Sequence, residues 1–165
     1  MSELTGRSVT SSRVGLAVFA GLTAAAAVIG TLATKKGLRP WFRSLNKPPF
    51  QPPDWVFGPV WTVLYGAMTV SAWRVWRQPP SPQRTTALGL WGVQLGLNAA
   101  WSVLFFAERK PRAALADIGA LVGALSAYSL VARKVDRQAA WLMVPYLGWC
   151  GFAAVLNAEI VRRNP

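Results

Sequence analysis

Tryptophan, tyrosine, asparagine and glutamine carry most of the chemistry available to this 165-residue chain. Nine residues are Trp, and three of these, Trp61, Trp101 and Trp149, fall deep inside long apolar runs. An indole at that depth has a broad π-face and one N–H that lipid leaves unpaired. These three are therefore expected to face the interior of a bundle. Helical spacing groups them with other residues. Phe57, Trp61 and Tyr65 share one face; Gln94, Asn98, Trp101 and Phe105 share another; Trp149, Ala153 and Asn157 share a third. Amides in a membrane helix seek partners rather than lipid. Stripes that mix rings with amides either line a cavity for a flat, mostly apolar ligand or bind helices to one another. Spacing alone leaves both readings open.

The other candidates are few. Asp117 is the one charge well inside an apolar run. An intramembrane carboxylate is a functional candidate by default, but near a helix start the structural reading is favoured, in which it accepts from free N–H groups or reaches for the headgroups. Glu108 and Glu159 stand at run boundaries, where a carboxylate is solvated. The single cysteine, Cys150, makes no internal disulfide and reads as a small buried hydrophobe. With no histidine, the usual ligands of zinc and haem sites are missing, and no metal is expected. No carboxylate pair, Ser-His-Asp set or phosphate loop is visible. Trp41, Trp55, Trp73, Trp76 and Trp141 lie near run ends and are expected to anchor at headgroup level.

The elements that must position these groups are long apolar runs. Over half of the residues are hydrophobic and 15% are charged, against roughly 25% charged in a soluble domain. Five runs, residues 14–34, 55–76, 85–107, 113–132 and 138–161, are nearly free of charge. Each approximates the ~20 residues that cross a bilayer as a helix. The first is longer than the apolar core of a signal peptide and is followed by another span, so it reads as retained. The expectation is an all-α, multi-pass integral membrane protein: one five-transmembrane-helix bundle over residues 14–161, with a polar tail at 1–13 and a short C-terminal tail at 162–165. Residues 35–54 form a long first loop with five prolines, stiff and placed like a lid. Pro145 predicts a kink in the last span. Gly92-x-x-x-Gly96 and Gly119-x-x-x-Gly123 allow close helix approach, within the bundle or between two copies.

The net charge of +12 flanks the apolar runs and forms no stripe on a polar helix. Its partner is then membrane lipid at the headgroups rather than nucleic acid. Lys and Arg divide eight to ten between the two sides, which sets no orientation.

Several motifs carry a family likeness. Trp41-Phe42, Lys47-Pro48, Pro52-Pro53 and the run from Trp55 through Phe57-Gly58-Pro59-Val60-Trp61-Thr62 to Leu64-Tyr65 resemble the first loop and second helix of the tryptophan-rich sensory protein family. That family includes the mitochondrial translocator protein, or peripheral-type benzodiazepine receptor. Gln94, Asn98, Trp101-Ser102 and Phe105-Phe106 resemble its third helix, Ala116-Asp117 its fourth, and Pro145-Tyr146-Leu147, Trp149, Phe152-Ala153 and Leu156-Asn157 its fifth. The likeness runs from about Arg39 to the end. It implies a five-helix bundle, often dimeric, that binds porphyrins such as protoporphyrin IX and benzodiazepine-like ligands, requires no cofactor, and has a role in tetrapyrrole transport, regulation or stress signalling. It implies a pocket under the first loop, walled by Trp41, Phe42, Pro52, Phe57, Trp61, Tyr65, Asn98, Trp101, Trp149, Phe152 and Ala153. If the family's reported light-dependent porphyrin breakdown holds here, Trp61 and Trp149 are the catalytic pair. The membrane implied is a bacterial cell or outer membrane, or the mitochondrial outer membrane in a eukaryote. Animal members carry a sterol-recognition pattern with a central tyrosine at the end of the fifth helix; the matching residues 155–162 have none. Leu125, Tyr128 and Arg133 fit the loose form of that pattern on the fourth span, so sterol is at most a weak partner.

Overall fold

A chain crossing lipid must satisfy its own backbone polar groups, and a helix does so within one segment. The computed structural model describes residues 2–37 and 41–165, with side chains from residue 12 onward. It contains α1 (Ser2–Gly37), α2 (Asp54–Trp76), α3 (Pro82–Ser102), α4 (Pro111–Val135), α5 (Arg137–Leu142) and α6 (Val144–Arg163), and no strand among the described residues. Four stretches are long and apolar enough to cross a membrane: Ser12–Gly37, Pro82–Ala107, Pro111–Val135 and Arg137–Arg163. α2 has the length, 23 residues, or about 34 Å at 1.5 Å per residue. Its residues 55–73 carry no charge, and it is no less apolar than the other long helices.

Three local features differ from the sequence expectation. The α1 backbone is helical from Ser2, so the stretch read as a polar tail continues the helix. It contains no proline to stop propagation from the apolar run behind it. Met1 and residues 38–40 of the first connection lie outside the described residues. At the end of α3 the helix widens into a π-helical turn, Val103–Ala107, closed by the Glu108 N–H on the Val103 carbonyl at 2.9 Å. Arg109, at φ 56°, then ends the helix. In the last span Pro145 does more than kink the helix. α5 stops, Met143 N–H turns to the Ala140 carbonyl at 3.1 Å, and α6 restarts with the proline in its first turn, where its missing N–H costs nothing.

α1 packs on α2 and α3, α3 along α4, α4 along α6, and α5 against α2 and α4. α1 packs closely through small residues: Gly15, Thr23, Ala26, Gly30, Ala33 and Gly37, with Phe19, form its buried face. A Cβ on Gly15 would stand 2.5 Å from the Trp76 ring, and Gly37 abuts the Phe106 backbone. Gly92, Gly96, Gly119 and Gly123 have open space where a side chain would be, so these pairs face outward and pack no helices within the bundle.

The end of the bundle near α5 is closed by polar groups. Ser71 donates to the Ala139 carbonyl at 2.7 Å, so the Tyr128 hydroxyl, 2.6 Å away, donates to Ser71. Leu125 and Tyr128 are wholly buried here. Neither side chain of this loose sterol pattern faces outward from the bundle. Asp136 caps α5 by accepting from Ala139 N–H at 3.0 Å, and also binds Arg74 at 3.0 Å and Gln78 at 3.2 Å.

Candidate functional site

α2 and α6 do not approach each other closely. Aromatic rings fill the upper part of that gap and surround a cavity of about 520 Å³. Each stripe expected from spacing contributes. Phe57, Trp61 and Tyr65 enter from α2, Asn98 and Trp101 from α3, and Trp149, Phe152 and Ala153 from α6. Edge-to-face contacts bridge the seam: Phe57 to Trp149 at 5.7 Å and Trp61 to Tyr146 at 6.0 Å between ring centroids. Trp101 stacks on Phe105 at 5.1 Å. The π-helical turn is what brings Phe105 and Phe106 together onto the wall.

Asn98 ties the cavity to three helices. Its Oδ1 accepts from Tyr65 at 2.9 Å, and its Nδ2 donates to Tyr146 at 2.8 Å. An amide offers two donors and two lone pairs, so one N–H and one lone pair stay uncommitted among the described residues. Asn157 is fixed similarly, accepting from the Trp101 indole at 3.1 Å and donating to the Pro111 carbonyl at 2.9 Å.

The tryptophans divide by what their indoles do. Trp73, Trp91 and Trp101 donate to Ser12 O, Met68 O and Asn157. Trp61 and Trp149 line the cavity with no such bond among the described residues, so their N–H groups are free for a ligand. Trp55 and Trp141 are 75% and 62% exposed, as anchors should be. Trp91 was not singled out by spacing. It is buried against Phe19 at 5.2 Å and is a core residue.

The first connection covers the open end. Phe42 points into the cavity and is buried, with Lys47 Nζ 4.3 Å above its ring. Trp41, the next residue along a helical turn, is directed about 100° away and packs behind the wall on Phe105 at 5.8 Å. Pro52 also stands outside the wall, in the extended run before α2. Phe50 meets Phe152 at 6.4 Å. Asn46 and Asn164 exchange hydrogen bonds of 2.9 and 3.2 Å, which fasten the lid to the end of α6.

α1 supplies a wall that its composition hides: Ala27, Gly30 and Thr34. Where α1 and α2 diverge the wall is open, because Thr31, Gly58 and Thr62 line the cavity yet remain exposed. Lys35 and Asp54 stand at that mouth. Cys150 is buried as expected and touches the cavity. Asp117 does not accept from the α4 backbone; its Oδ2 is buried without a partner. Glu159 is not simply solvated, since Arg162 and Arg163 bind it at 2.6 and 2.7 Å. The cavity thus offers π-faces, two indole N–H groups without a partner among the described residues and the amides of Asn98 and Asn157, with a charge of each sign at the mouth.

A profile described as the TspO/MBR family matches residues 19–163. The chain is 40% identical to a Translocator protein of Homo sapiens over 131 residues, covering 78% of this chain and 77% of that one. It is 36% identical to a Tryptophan-rich protein TspO of Chlorobaculum tepidum over 154 residues, covering 91% and 96%. It is 37% identical to a Tryptophan-rich sensory protein of Cereibacter sphaeroides over 124 residues, covering 75% and 77%.

Proposed function

The chain belongs to the TspO/MBR family, and from that premise we propose that it is a five-span membrane receptor whose aromatic cavity binds porphyrins, protoporphyrin IX above all, and related flat hydrophobic molecules. On this reading α2 is the fifth span, its uncharged residues 55–73 crossing the bilayer. One observation carries the proposal: rings from α2, α3 and α6 converge on a 520 Å³ space, and Trp61 and Trp149, which line it, donate no hydrogen bond among the described residues. A macrocycle supplies the flat π-surface such walls hold, and its carboxylates reach cations at the rim such as Lys35. The cell-level role on this reading is transport, regulation or stress signalling of tetrapyrroles. Two copies associate through the outward glycine pairs of α3 and α4. Purified protein titrated with protoporphyrin IX in darkness tests the binding. Saturable quenching of tryptophan emission is expected; quenching that rises linearly without saturation contradicts it.

A second reading is light- and oxygen-dependent breakdown of the bound porphyrin. It is favoured by Trp61 and Trp149, which line the cavity with oxidisable indoles that, unlike that of Trp101, donate to no group among the described residues. Bleaching of bound porphyrin under illumination, faster than for free porphyrin in the same detergent, is its signature.

A further inference from the structure

At the end of the bundle away from the cavity, α1, α2 and α3 each bring an arginine to one corner. Its base is two tryptophans of the last turn of α2. Trp73 donates its indole to the Ser12 carbonyl at 2.9 Å, and Trp76 lies against Gly15. The Arg77 guanidinium stands 4.7 Å above Trp73, and Arg84 stands 5.9 Å from Trp76. Arg13, exposed, extends from the same turn of α1 as Ser12. Stacking on a ring holds a guanidinium flat and pre-ordered. Asp136 is committed to Arg74, and among the described residues no carboxylate pairs with Arg13, Arg77 or Arg84. Arg84 also carries an Nε shielded from water with no acceptor.

We infer that this corner is a binding site for the phosphate group of an anionic membrane lipid. The occupant follows from position and charge. The corner lies where α2 ends and α3 begins, at headgroup level, and indole rings are stable at that depth. Toward the bilayer centre α1 and α2 expose Val14, Val18 and Val70, against which acyl chains lie. Planar guanidiniums match a phosphate with paired hydrogen bonds.

Purified full-length protein in neutral detergent, titrated with phosphatidylglycerol or phosphatidylcholine and followed by native mass spectrometry, tests the site. Wild type is expected to retain phosphatidylglycerol about tenfold more tightly than phosphatidylcholine. Arg77→Lys with Arg84→Lys keeps the charge but loses the planar stacking, and should remove most of that preference. Should the pair fail to fold, each single variant is expected to lose about threefold. Arg43→Gln with Arg112→Gln, at the opposite end, should change nothing. A lysine pair that binds as wild type would reduce the corner to diffuse surface charge and overturn the site. Displacement of the lipid by millimolar inorganic phosphate would identify a free-anion site and overturn the lipid assignment.

Discussion

Asn98 accepts from Tyr65 and donates to Tyr146, so one amide fixes α2, α3 and α6 around the cavity. Replacing it with leucine leaves two tyrosine hydroxyls without that partner. Asn98→Leu should cost about 1–3 kcal/mol, seen as a lower midpoint of thermal unfolding in detergent; an unchanged midpoint would mean the tyrosines find other partners. Trp61 and Trp149 test a different property. Phenylalanine keeps much of the ring area but lacks the N–H and is far harder to oxidise. If they donate electrons, Trp61→Phe with Trp149→Phe should bind porphyrin within about tenfold of wild type, ~1.4 kcal/mol, yet lose light-dependent bleaching. If they only form wall, bleaching should fall in step with occupancy. These side chains were legible in the sequence because ring-to-ring spacing of four puts Phe57, Trp61 and Tyr65 on one face. Trp91 was not, because a core tryptophan and a cavity tryptophan have the same spacing and differ only in where the N–H goes. For Trp91 that is the Met68 carbonyl at 3.1 Å.

The lid and the α4–α5 joint are the elements with most to lose from a single change. Asn164→Ala removes both hydrogen bonds to Asn46 while leaving Phe42 and Phe50 in place. Ligand binding must then order a looser loop, so affinity should fall by about threefold to tenfold through faster dissociation. Stopped-flow dissociation of a fluorescent porphyrin reads this directly, and an unchanged off-rate would show that the aromatic contacts suffice. At the other end, burial pushes the Asp136 carboxyl up, but the Ala139 N–H and Arg74 together outweigh it and hold it below its ordinary value of 3.8. A carboxylate depressed on folding contributes stability at neutral pH, and loses it as pH falls through its folded-state value. Asparagine still caps α5 but gives up the charge pairing with Arg74, so Asp136→Asn should lower stability at pH 7, and the gap from wild type should close only below about pH 4. A gap that persists at lower pH would assign the cost to packing. The first loop was readable from its prolines and aromatics. The π-helical turn at Val103–Ala107 was not, since an i→i+5 bond has no composition of its own and arises from fitting Phe105 and Phe106 under the lid. The stop at Met143 was half legible: Pro145 announces a defect, while whether the helix bends or restarts is decided by α5 docking on α2 and α4.

At the scale of the molecule, charge and hydropathy marked the runs, and packing decided which of them make walls. α1 contributes Ala27, Gly30 and Thr34 to the cavity, a contribution invisible in the sequence because small residues shape a wall by letting neighbours approach. The glycine pairs of α3 and α4 were ambiguous for the opposite reason, since only the structure shows open space above them. If α2 completes a fifth span, the two termini lie on opposite faces. Tags at residue 1 and residue 165 should then differ in protease access in sealed vesicles, and equal access would contradict five spans. The central claim, that porphyrin occupies the cavity between α2, α3 and α6, is tested most directly by filling that cavity. Ala153 lines it from α6. An indole placed there intrudes on the volume the ligand needs while leaving Asn98, the lid and the α5 joint untouched. The measurement is the equilibrium affinity of Ala153→Trp for protoporphyrin IX in darkness, in lipid nanodiscs, beside wild type. The account predicts a loss of at least about hundredfold, ~2.7 kcal/mol, with helix content and unfolding midpoint close to wild type; wild-type affinity in the filled variant would place the porphyrin elsewhere and contradict it.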